Sequence, residues 1–265
     1  MTCSKLRKLT EQNGAHVFAK VRAADVCPIS NSGLSDADYS FALKAHFDFV
    51  VTDRSFTPLF GVEFDGPLHR ANPQKQRDRR KDTICERFGF SLLRINSKYL
   101  DRQFRGLDLL TYFVDVWFMS TAFDEAQARG DVPYDADFDP AFIISDPERK
   151  ERFPYWISVD LQVRLQKLAT SGRIHDYVPS HWIGIDTNGN YRCLAWLGFT
   201  EHSYIIVETG MHAQRFPVVI PDILSQLAIF DLWEELDRVL SGSSDPESRH
   251  VLDELLRFYA HNFKR

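Results

Sequence analysis

Along the first half of the chain, runs in which apolar and polar residues alternate give way to runs with helical spacing, and each change of period marks an element. Ser4–Gln12 suits a short helix, and Ala15–Val26 (AHVFAKVRAADV) alternates as a strand does. The following PISNSGLSDAD is loop chemistry, rich in Pro, Gly, Ser and Asp. Two more strands, Ser40–Thr52 and Leu59–Asp65, are joined by the short connection Arg54–Thr57, and Gly66–Pro67 ends the second of them. A helix then opens with Asn72 as its cap and Pro73 in its first position, and runs to Phe88 with Gly89 as the left-handed terminus. Its first half is polar all round. Phe90–Ile95 carries the short apolar run of a buried internal strand. Leu107, Leu110, Phe113, Val114, Trp117, Phe118 and Phe123 then fall near helical spacing, predicting a long amphipathic helix that stops by Gly130.

Between Asp131 and Lys150 the pattern lapses into an acidic, proline-bearing stretch, DVPYDADFDPAFIISDPERK. This predicts a domain of residues 1–130, a linker of 131–150, and an accessory domain of 151–265. In the accessory part, Ser158–Ala169 reads as a helix, and HWIGIDTNGNYRCLAWLG as a hairpin whose Asn188–Gly189 pair suits a primed turn. Tyr204–Glu208 is a further strand. Two amphipathic helices follow, Pro221–Leu240 and Ser244–Phe263, the second with Ser244 as cap and Pro246 in its first turn. The expected class is α/β with a central mixed sheet flanked by helices, then a smaller α+β domain.

Composition adds boundary conditions. The chain has 265 residues, 44% hydrophobic and 26% charged, enough to bury a core. A net charge of -5 means that any surface for nucleic acid has to be local. The four cysteines, Cys3, Cys27, Cys85 and Cys193, lie far apart and show no zinc-ligand spacing, so reduced thiols are expected. Neither a signal-peptide run nor a membrane-length apolar run is present, which predicts a cytoplasmic protein.

The candidate chemistry lies between Ala45 and Asp82. If the second and third strands form a hairpin closed by Arg54–Thr57, Asp53 faces Pro58 and Asp48 faces Glu63, with Cβ atoms about 4.5–5.5 Å apart. Directly opposed carboxylates repel, and a divalent cation converts that repulsion into a binding site. Alternation puts Asp65 on the same face and turns Phe47, Phe49, Val51, Val62 and Phe64 into the core. Three oxygen donors of this kind suit Mg²⁺ or Mn²⁺ rather than zinc. The following segment holds Arg70, Lys75, Arg77, Arg79, Arg80 and Lys81 against Asp78, a local cluster suited to a substrate that brings phosphates.

Taken in order, Asp48 in HFDFVV, Glu63, Asp65, Gly66 and His69 in EFDGPLH, Gln74, Asp78, Lys81 and Asp82 in QKQRDRRKD, and Gly89, Arg94 and Ile95 in GFSLLRI make up a pattern. That pattern resembles the PD-(D/E)XK restriction-endonuclease-like nucleases. More narrowly it resembles a branch related to the very-short-patch-repair endonuclease, in which E-x-D-G-x-x-H replaces E-x-K. The resemblance covers about Ala15–Ser97. It implies a restriction-endonuclease-like fold, Mg²⁺- or Mn²⁺-dependent hydrolysis of DNA, and metal ligation by Asp48, Glu63 and the Phe64 carbonyl. Asp65 stands where most members have lysine, which leaves Lys81 or Gln74 to reach in from the helix. His69 is implied as a general base or phosphate contact, while the charge cluster itself, Arg70, Lys75, Arg77, Arg79 and Arg80, is expected to meet the substrate backbone.

The rival expectation is a nuclease-fold module that binds nucleic acid or a protein partner without cutting, with the C-terminal domain carrying the partner surface. The E-x-D variant favours it, as does a segment before the first strand whose only acid is Glu11.

Overall fold

A computed structural model describes residues 2–65, 72–96, 108–140 and 157–264, apart from the side chains of residues 2, 3 and 72–75. The chain is mixed α/β and divides into two compact units, one of Met1–Phe138 with Gln214–Val218, the other of Asp139–Ala213 with Val219–Arg265. The first break falls inside the expected linker. The return of five later residues to the first unit has no counterpart in the sequence pattern.

The first unit runs α1 (Thr2–Gln12), β1 (His16–Arg22), α2 (Ala23–Val26), α3 (Asp36–Ala42), β2 (His46–Thr52), β3 (Pro58–Asp65), α4 (Asn72–Arg87), β4 (Ser91–Asn96) and α5 (Leu109–Arg129). Its sheet has the order β1-β2-β3-β4, antiparallel through the first three strands and parallel between β3 and β4. Helix α4 is the crossover that a parallel pair requires. Gly89 closes it in the left-handed region (φ +64°), as the sequence predicts. The polypeptide sandwiches the sheet. Phe60 faces α5, with its ring centroid 4.9 Å from that of Trp117. Its neighbour Gly61 faces the opposite cluster of Phe47, Val50, Ile84, Cys85, Phe90 and Leu92. A Cβ on Gly61 would lie 3.0 Å from Leu92 and 3.1 Å from Phe90, so glycine lets the crossover side pack closely.

Three predicted details of this unit change. Ser40–Ala42 belong to α3 rather than to a strand, because Ser35 accepts from the Asp38 N–H and acidic Asp36 and Asp38 occupy the first turn, where they complement the helix dipole. Ala23–Val26 likewise turn helical instead of extending β1. Phe47 does not share a face with Phe49: it packs with Phe90 (5.3 Å) and Val50, whereas Phe49 meets Phe64 (5.7 Å). Strict alternation is lost around Asp48, beside the point where Lys20 on β1 adopts φ +55°.

The segment 214–218 completes the unit. The Gln214 amide accepts from the Arg94 N–H and donates to the Arg94 carbonyl, both at 2.9 Å, and so satisfies part of the open edge of β4. Phe216 inserts its ring among Phe60 (5.1 Å), Trp117 (4.9 Å) and Phe113 (6.1 Å).

The second unit runs α6 (Val159–Thr170), β5 (Ser180–Ile185), β6 (Tyr191–Gly198), β7 (Ser203–Met211), α7 (Ile220–Leu240), β8 (Glu247–Ser248) and α8 (Arg249–Asn262), with an antiparallel sheet in the order β5-β6-β7-β8. Helices α6 and α7 bury Leu165, Leu224, Ala228 and Leu232 against Cys193, Ala195, Leu197 and Ile205. The hairpin is present, but of its turn residues only Gly189 is left-handed (φ +81°), so the turn is not a primed one. Asp186 sets it instead, accepting from the N–H groups of Asn188 and Asn190. Helix α8 starts at Arg249 with Ser248 as its cap. Ser244 donates to Glu235 (2.6 Å), and Glu247–Ser248 are drawn into the sheet beside Ser203–Tyr204, which leaves Pro246 outside the helix.

Among the described residues no helix is long and apolar enough to cross a membrane. The described thiols Cys27, Cys85 and Cys193 are free and buried.

Candidate functional site

The β2/β3 ladder pairs Phe49 with Val62, Val50 with Gly61 and Val51 with Phe60 and ends there, with Asp48 and Glu63 the next positions on the two strands. Towards the turn the register shifts, and Thr52 rather than Asp53 faces Pro58. Asp53 is occupied in the turn itself, accepting from Ser55 and Thr57. Backbone and carboxylates interlock at the facing pair. The Asp48 N–H donates to Glu63 Oε1 (3.3 Å), and the Phe64 N–H donates to Asp48 Oδ2 (3.0 Å).

Each carboxylate also holds an ammonium group. Lys81 of α4 places Nζ 2.6 Å from Glu63 Oε1 and donates to the His46 carbonyl at 2.8 Å. Lys20 of β1 places Nζ 2.5 Å from Asp48 Oδ1. The two pairs differ in exposure. The side chains of Lys81 and Glu63 are 11% and 6% exposed, those of Lys20 and Asp48 72% and 24%.

Burial pushes the Glu63 carboxyl above the usual glutamate range, and the Lys81 charge and hydrogen bond oppose that rise without cancelling it. At Asp48 burial also pushes upward, but the Lys20 hydrogen bond, the Phe64 N–H and both ammonium charges bring the carboxyl below the usual aspartate range. The hydrogen bond to Asp48 raises the Lys20 ammonium above its ordinary value.

A second ionic group lies beside the first. Arg94, the parallel partner of Glu63 on β4, is 7% exposed in its side chain. Its guanidinium reaches Asp65 (3.2 Å), Asp78 (3.5 Å) and Asp82 (2.9 Å), and donates to the Asp78 carbonyl (3.3 Å). Asp78, Lys81 and Asp82 are spaced i, i+3, i+4, so they share the face of α4 turned to the sheet, while Arg77, Arg79 and Arg80 are exposed. The polar start of α4 is therefore not solvated all round; one stripe of it carries the ionic partners of β3 and β4. Among the described residues no buried side-chain nitrogen or oxygen lacks a hydrogen-bond partner.

The sequence-predicted residues thus separate. Asp48, Glu63 and Lys81 come together. Asp65 is engaged by Arg94. His69 and Arg70 lie outside the described residues, as do the side chains of Gln74 and Lys75. Lys20 was not anticipated, since a lysine in an edge strand carries no sequence mark of its left-handed backbone; Arg94, read as a residue of the family pattern or as the partner of an acid at the sheet end, engages three acids.

Among the described residues no group of three or more His, Cys, Asp or Glu side chains is arranged to hold a metal. Mg²⁺ keeps several waters and takes one or two carboxylates, a requirement that Asp48 and Glu63 meet. An ammonium group already sits on each, so both oxygens occupy places where a cation is held.

A family described as "Protein of unknown function (DUF2726)" matches residues 3–106, the span that holds Lys20, Asp48, Glu63, Lys81 and Arg94. No curated protein and no solved structure matches the chain.

Proposed function

We propose that the first unit is a restriction-endonuclease-like nuclease domain that hydrolyses DNA phosphodiester bonds with Mg²⁺ or Mn²⁺. The observation that carries this reading is the Lys81 ammonium, 2.6 Å from Glu63. In the resembling family a lysine two residues after the glutamate sits beside it; here position 65 is aspartate, and α4 supplies the lysine through space.

In this reading Asp48 and Glu63 hold the ion, with the Phe64 carbonyl as a further oxygen donor. The ion, when bound, polarises the phosphate and lowers the pKa of water. Lys81, fixed between Glu63 and the His46 carbonyl, orients the attacking water and offsets negative charge developing on the phosphate oxygens. Asp65 acts through Arg94, which ties β3 and β4 to α4 and so keeps Lys81 in place. Arg77, Arg79 and Arg80 face outward, where a DNA backbone can reach them.

One observation favours a second reading, a module that binds without cutting. Lys20 and Lys81 already neutralise both carboxylates, so the site is electrically complete without an ion. A cleavage assay separates the two. Wild-type protein is expected to nick or cut DNA with Mg²⁺ or Mn²⁺ and to stop in chelator. Asp48→Asn and Glu63→Gln should each lower the rate roughly a thousandfold, the equivalent of several kcal/mol of lost charge stabilisation. Folded wild-type protein that leaves DNA intact with either metal would favour the binding module.

A further inference from the structure

The turn end of the first sheet, where His16 pairs with Thr52 and which lies four residues along β1 from Lys20, exposes three aromatic rings that the core does not use. On edge strand β1, His16 is exposed and Phe18 is 42% exposed; in the β2–β3 turn, Phe56 is 62% exposed. The rings gather. Phe56 stacks on His16 with centroids 5.1 Å apart and planes at 17°, and lies 6.1 Å from Phe18.

The backbone of Phe56 marks the arrangement as costly. It takes φ +64°, a left-handed conformation that turn chemistry normally gives to Gly or Asn and that a bulky side chain adopts only under strain. Asp53 holds it there: its carbonyl accepts from the Phe56 N–H (3.1 Å), and its carboxylate accepts from Ser55 and Thr57 on either side. A strained turn that lifts a phenyl ring into solvent gains nothing for the core.

Beside the Asp53 carboxylate of the turn, two basic side chains lie nearby. Arg54 in the same turn is exposed and lies against Gly14, just before β1. Lys20 is two residues beyond Phe18, about 7 Å along the strand, with its ammonium on Asp48. Exposed aromatic faces beside basic side chains match the chemistry of an unpaired nucleotide, whose base stacks while its phosphate is held.

We propose that His16, Phe18 and Phe56 form a stacking platform for unpaired bases of a strand that runs along β1 towards Asp48, making single-stranded DNA, or DNA with unpaired nucleotides at an end or flap, the substrate class. This rests on the nuclease reading in taking DNA as the ligand; its test runs without metal and does not depend on cleavage.

Binding of fluorescently labelled oligo(dT) and of a blunt duplex would be followed by anisotropy in chelator, with wild type, Phe18→Ser and Phe56→Gly. The wild type should bind oligo(dT) more tightly than the duplex. Each substitution should weaken oligo(dT) binding about tenfold, as loss of one base–aromatic stack does, and change duplex binding less. Phe56→Gly should melt at or above the wild-type temperature, because glycine relieves the left-handed strain; loss of binding with retained stability separates a ligand contact from a structural one. Unchanged oligo(dT) affinity in both variants, or a wild type that prefers the duplex, would overturn the platform. If the variants lose oligo(dT) and the wild type cuts no DNA, the platform stands and the nuclease reading falls; if the wild type cuts while the variants bind oligo(dT) normally, the reverse holds.

Discussion

The carboxylates beside the two sheets have different kinds of partner. In the second unit, two acids beside the sheet each take a neutral hydroxyl: Thr209 donates to the half-buried Asp231 at 2.5 Å, and the buried Tyr259 donates to the exposed Glu208 at 2.6 Å. In the first unit, Glu63, Asp65, Asp78 and Asp82 meet two cations, Lys81 and Arg94. A hydroxyl satisfies a lone acid with little desolvation of charge, whereas grouped ions lose much of their hydration and bring little net stability.

The largest stability effect that separates the two kinds of partner should come from Arg94→Met. It leaves three carboxylates around a buried apolar side chain, and urea unfolding should show a loss of about 3–5 kcal/mol. Tyr259→Phe, which removes one hydroxyl from one carboxylate, should cost about 2 kcal/mol in the same assay. A loss from Tyr259→Phe as large as that from Arg94→Met would erase the contrast.

Within the first unit, the two facing acids respond to pH in opposite ways. The Glu63 carboxyl is held above its ordinary value of 4.5, so its contribution is present below that value and is lost as pH rises through the folded pKa. Asp48 is held below its ordinary 3.8, so its contribution is present above that value and is lost as pH falls through the folded pKa. Glu63→Gln should therefore remove the loss of stability that sets in above pH 4.5, a slope of at most about 1.4 kcal/mol per pH unit, and leave the acid-side loss in place. Denaturant midpoints across pH would show it. The smallest effect is expected from Ser248→Ala at the start of α8, about 1 kcal/mol for a lost cap, with the first unit unaffected.

What the sequence made legible follows from how local each determinant is. The facing of Asp48 and Glu63 could be counted because one short turn joins their strands, and a register count needs only the turn and the side-chain period. The count departs from the structure beside the turn, where a bulge lets Thr52 face Pro58, and the ladder stops one pair short of Asp48 and Glu63. Gly89 and Gly130 ended their helices as read, each a left-handed cap. Lys81 was within reach as a candidate, since i, i+3, i+4 spacing places it between Asp78 and Asp82, but only the parallel pairing of β3 with β4 makes that stripe face Glu63 and Arg94. Gln214 and Phe216 were not legible at all. Their roles depend on a return of the chain 120 residues after Arg94, for which no local pattern exists. Ser40–Ala42 misled because a short apolar segment fits either period, and the Ser35 cap decided it.

The central claim is that Asp48 and Glu63 together form a cation site served by Lys81. Its most direct test is calorimetric titration of Mn²⁺ into the full chain and into Asp48→Asn and Glu63→Gln proteins, with circular dichroism to establish that each is folded. The account predicts one saturable Mn²⁺ site in the wild type that both substitutions abolish. A wild type that binds no Mn²⁺, or variants that bind it as the wild type does, would contradict it.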